Sequence, residues 1–109
     1  MAKFETTVNG DFYSLIKRVE TEIINGSFTA SLEDSSDFNS GDARCSVRVF
    51  ERYSYSGSNR VSLSVTFFQN NNGEILVSAI TSGGSQGAFF KFNTFGEEAF
   101  LDKIKEVLR

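Results

Sequence analysis

Few residue types in this chain could do chemistry, and most of them fall on one stretch. There is no histidine, so acid–base work would fall to carboxylates, lysine or tyrosine. In ARCSVRVFERYSY, residues 43–55, Glu51 follows Val49 and precedes Tyr53 at a spacing of two. Strand side chains alternate between faces, so this parity predicts Glu51 on one face with Cys45, Val47 and Val49, the face expected to be buried. A carboxylate held on an apolar face can serve as acid, base or polar anchor. Glu51, Tyr53 and Tyr55 are therefore candidate ligand-binding residues. The alternative is a bulge near Phe50 that turns Glu51 outward, or a strand end that is simply solvated. The other parity carries Arg44, Arg48 and Arg52, spaced about 13 Å apart at about 3.3 Å per residue. With Arg60 from the next strand they form a candidate recognition surface on a solvated sheet face, able to meet an anion, acidic side chains or a partner chain.

Weaker signals lie elsewhere. EDSSDFNSGD, residues 33–42, offers several oxygen ligands but misses the alternating spacing of a calcium loop, so it is expected to be a solvated loop and no metal is assigned. SGGSQG, residues 82–87, could cradle a phosphate through its backbone. No Lys-Ser/Thr follows it and no helix starts immediately after it, so Gly83 and Gly84 are kept only as ligand-binding candidates at the mouth of a pocket. No nucleophile elbow, P-loop or dinucleotide fingerprint occurs, and no cofactor or catalytic residue is assigned. The single Cys45 reads as a small buried hydrophobe; a reactive thiol would want a neighbouring base.

The elements that position these residues follow from periodicity. Residues 2–8 alternate as a strand. Phe12, Leu15, Ile16, Val19 and Ile23 recur at helical spacing over 11–24, and Asn9 or Asp11 can cap that helix. Strands are expected over 27–34, 43–55, 59–70 and 74–82, the last apolar on both faces and so partly covered on both. Ser56-Gly57-Ser58 and Asn72-Gly73 are hairpin turns. A three-residue loop at 56–58 would set Val49 beside Val65 and Val47 beside Phe67, aligning the apolar faces. Thr94 and Glu97 form a capping box for a last helix over 95–108. The expected fold is α+β: an antiparallel sheet of about five strands with two helices on one face, in the order β-α-β-β-β-β-α.

At 109 residues the chain is expected to be one domain, 1–109. Its net charge of −3, and the expected lack of exposed aromatics between the arginines, argue against nucleic acid. No leader pattern and no 18-residue apolar run is present, so no membrane partner and a cytoplasmic location are expected.

The segments SLEDSSDFNSGDARCSVRVFERYSY, NRVSLSV, SAITSGGSQ and FNTFGEEAFLDK resemble a family of small uncharacterised bacterial proteins. The element order is similar to that of TATA-binding-like and helix-grip domains, a likeness of fold alone. The resemblance implies a bacterial cytosolic protein and supplies no activity, ligand or site residue. Two functional expectations remain. One is a non-enzymatic domain that holds a small apolar ligand between the sheet and the C-terminal helix. The other is a homodimeric interaction module without a small-molecule site. An enzyme using Glu51 is the least favoured reading.

Overall fold

The structure is a computed structural model and describes residues 1–26, 29–53, 60–83, 104–105 and 107–108. Its elements are β1 (Ala2–Val8), α1 (Phe12–Asn25), β2 (Ser31–Ser40), β3 (Ala43–Tyr53), β4 (Arg60–Asn70) and β5 (Ile75–Gly83). The five strands form one antiparallel sheet in the order β1-β5-β4-β3-β2. Hairpin-linked neighbours account for β2 to β5, and β1 returns to pair with β5.

The helix starts where its sequence says it should. The Asp11 side chain accepts a hydrogen bond from the Ser14 backbone N–H at 2.9 Å, satisfying one of the free donors of the first turn. Phe12, Leu15, Ile16, Val19 and Ile23 are its buried residues and lie against the sheet. Facing them, β4 contributes Val61, Leu63, Val65 and Phe67, and β5 contributes Ile75, Val77 and Ala79. All of these are 5% exposed or less, so the helix side of the sheet is a closed core.

The expectation of two helices is corrected. Among the described residues the sheet carries one helix, α1, and the element order ends at β5. Near the C-terminus, Leu108 donates its backbone N–H to the Ile104 carbonyl at 3.0 Å, and both side chains enter the core. Ile104 and Leu108 thus serve packing. The Thr94–Glu97 capping box lies outside the described residues.

Two strand readings also change. The strand expected over 27–34 is displaced to Ser31–Ser40, so residues 33–40 of the stretch expected as a loop belong to β2, which pairs with β3, and Gly41-Asp42 is the turn. The short polar residues of β2 have low strand propensity, but an edge strand needs only backbone pairing on one side, and its charges guard the open edge. The β3–β4 register differs by one residue from the expected one. Phe50 pairs with Leu63, Arg48 with Val65 and Val49 with Ser64. A one-residue shift exchanges the faces of a strand. The Arg/Ser face of β3 therefore looks to the helix, and the Cys45–Val47–Val49 face looks away from it.

Turn chemistry was nearly as expected. Asn71 and Asn72 both adopt positive φ, 54° and 59°, and Gly73 donates its N–H to the Asn70 carbonyl at 3.0 Å. The left-handed pair of this turn is Asn71-Asn72 instead of Asn72-Gly73; asparagine tolerates that conformation better than other side chains.

Candidate functional site

The helix-facing side of β3 holds the arginines in structural contacts. Arg48 Nε donates to Glu20 Oε2 on α1 at 2.7 Å, and its NH1 donates to Asp37 Oδ1 on β2 at 3.0 Å. The Ser46 hydroxyl donates to the same Asp37 oxygen at 2.6 Å, and Ser46 is itself buried. Burial works against the charge of Arg48, but the hydrogen bonds and charges of Glu20 and Asp37 outweigh it and hold its pKa above the ordinary value. The Ser46 hydrogen bond, opposed by desolvation and reinforced by Arg48, holds Asp37 below its ordinary 3.8. The cluster ties α1 to the β2–β3 edge.

Arg44 stands at the end of the same face. Its guanidinium lies 5.2 Å from both the Phe12 and the Tyr13 ring centroids and donates to Asn72 Oδ1 at 3.1 Å. Arg52 is on this face too, and burial lowers its pKa. The stripe expected on a solvated surface thus faces the helix.

Arg60 does not join that stripe. It pairs with Tyr53 in the sheet, so both stand on the other face, away from α1. Its guanidinium sits 5.6 Å from the Tyr53 ring centroid, and its Nε donates to Glu51 Oε1 at 2.6 Å. The Ser62 hydroxyl donates to Glu51 Oε2 at 3.3 Å. Parity put Glu51 on the face expected to be buried, with a solvated position as the alternative. Glu51 stands on the uncovered face, its charge satisfied by Arg60. Tyr53 is exposed. Gly83 closes β5 with φ of +112°, and a Cβ there would come within 2.6 Å of the Arg60 carbonyl oxygen, so glycine permits the close approach to β4. Tyr55 and Gly84 lie outside the described residues.

What parity missed is the uncovered face itself. Residues paired across the strands share a face, so the register lays out its rows. One row runs Phe38, Cys45, Phe68, Leu76, Thr7 from β2 to β1. The next runs Ser36, Val47, Thr66, Ser78, Glu5, and the third Asp34, Val49, Ser64, Ile80, Lys3. Phe38 is 60% exposed, Leu76 49%, Ile80 40% and Phe68 38%. The second face of β5, expected to be partly covered, is therefore open. Cys45, expected to be buried, is only half-buried between Phe38 and Phe68. At the β1 end of these rows, Glu5, Thr7, Thr66, Phe68, Leu76 and Ser78 line a shallow depression of about 580 Å³. The two-sided apolar pattern of β5 and the phenylalanine pair 67–68 were the available signals for this face.

Among the described residues no group of acidic or cysteine side chains is arranged to hold a metal ion, and no helix is long and apolar enough to cross a membrane.

A family model described as a family of unknown function, DUF6054, matches residues 1–109. The chain belongs to this family. Neither the comparison with curated proteins nor that with solved structures returns a match.

Proposed function

We propose that this protein is a non-enzymatic interaction module whose working surface is the sheet face turned away from α1. The observation that carries the reading is the group Phe38, Phe68, Leu76 and Ile80, large apolar side chains standing 38–60% exposed on one face of one sheet. Large apolar side chains left exposed together on one sheet face are costly in water and mark surfaces that bind something. The alternative of a small apolar ligand under a C-terminal helix draws less support. Its proposed contacts Glu51 and Tyr53 stand on the face opposite the helix-side core, and Glu51 already has Arg60 and Ser62.

A photo-crosslinking amino acid in place of Phe68 tests the surface in cells that express the protein. Position 68 should give a discrete protein adduct, and the same label at Lys17, exposed on α1, should not. No adduct from position 68, or the same products from both positions, would refute the assignment.

A further inference from the structure

Resting on that reading of the surface, we infer that its occupant is a second copy of this chain, packed face to face about a two-fold axis that runs along β4. The inference comes from three properties of the rows.

The first is where the charges stand. β4 is the middle strand, so a two-fold axis along it lays β2 of one copy over β1 of the other and keeps each row over itself. The third row has Asp34 at its β2 end and Lys3 at its β1 end. The operation brings Asp34 of each copy over Lys3 of its partner, twice. Lys3 is already 3.9 Å from Glu5 on its own strand, an exposed contact that the approach of Asp34 can share.

The second is shape. The first row has its largest protrusion, Phe38, at the β2 end and the depression beside Thr7, Leu76 and Phe68 at the β1 end. The same rotation that pairs the charges lowers Phe38 toward that depression, while Phe68 meets its own copy on the axis and Val49 meets Ile80. Face-to-face sheets cross at about 30°. With strands about 4.8 Å apart, that rotation displaces the edge strands by about 5 Å, within the reach of phenylalanine and lysine side chains.

The third is area. Five strands about 4.8 Å apart and about eight residues long present a footprint of about 24 by 27 Å. Two such faces remove about 1,300 Å² from water, inside the range of specific interfaces.

Sedimentation equilibrium on four proteins tests this: the native chain, Asp34→Lys, Lys3→Asp and the double swap Asp34→Lys/Lys3→Asp. Both substituted positions, Asp34 and Lys3, are exposed, and circular dichroism will show whether each variant keeps the native fold. The native chain should dimerise. Each single variant sets like charges face to face twice and should weaken the dimer about tenfold. The double swap should return affinity to within about threefold of native. Phe38→Ala should weaken the dimer without touching any charge. A native chain that stays monomeric, or a swap no tighter than the singles, overturns the inference. If the chain is monomeric yet position 68 crosslinks to a different protein, the second copy is wrong and the surface stands; if position 68 gives no adduct, both fall.

Discussion

Arg48 shows how one side chain can reverse a reading. It is 12% exposed and bonded to Glu20 on the helix and Asp37 on the neighbouring strand. Removing it takes the cation from Glu20, 31% exposed, and leaves Asp37 with the Ser46 hydroxyl alone. We expect Arg48→Ala to cost about 2 kcal/mol in urea unfolding, because lost charge-assisted hydrogen bonds leave their partners without compensation. A cost below about 0.5 kcal/mol would mean that the arginine is solvated after all. Asp37 gives a pH signature. Its folded pKa lies below 3.8 because Ser46 and Arg48 favour the charged form. A lowered carboxyl stabilises the fold above its unfolded pKa, and that contribution is lost as pH falls through 3.8 toward the folded value. Stability measured from pH 5 to pH 3 should therefore decline, and Asp37→Asn should flatten the decline. An unchanged slope in that variant would remove Asp37 from the acid response. Sequence could nominate Arg48 as unusual, since it sits in a strand of valines. It could not name Glu20 and Asp37, which reach it from 28 and 11 residues away through the packing of other elements.

At the scale of elements, most of the fold was legible. β1, α1, β4 and β5 fall within a residue or two of their expected bounds, because each has a clean period and a turn signal at its end. The second helix expected over 95–108 is not an element of the described fold; of its span only residues 104–105 and 107–108 are described, and they form one turn against the core. β2 was misread because its polar sequence follows from its edge position, which a local pattern does not contain. β3 was paired one residue out of register. Matching valine to valine across the hairpin looked right locally, yet β3 spends its valines on the uncovered face and gives the core Phe50 and the arginine stems. The two registers predict opposite mutational costs. Phe50→Ala should lose about 3–4 kcal/mol, as for other fully buried phenylalanines. Val49→Ala, half-buried on the uncovered face, should lose under about 1 kcal/mol when measured on dilute protein. Equal costs, or the reverse order, would restore the valine-to-valine register.

For the whole molecule, the decisive fact is that among the described residues one face of the sheet is covered by α1 with Ile104 and Leu108, while the other leaves Phe38, Phe68, Leu76 and Ile80 exposed. The same register correction that buried the arginines opened this face, so the recognition surface moved from the basic side of β3 to the apolar side. Some of its residues are visible in the sequence as a two-sided β5 and the phenylalanine pair 67–68. Their assembly into rows with Phe38 and Asp34 at one end and a depression and Lys3 at the other needed the strand order. The most direct test of this account is the mass of the protein as a function of concentration. Light scattering on the native chain should rise toward twice the 12.1 kDa chain mass, while Phe68→Lys, which places a charge on the two-fold axis, should hold at 12.1 kDa. A native chain that stays at the single-chain mass over the same range, or a Phe68→Lys variant that dimerises as well as the native protein, would contradict it.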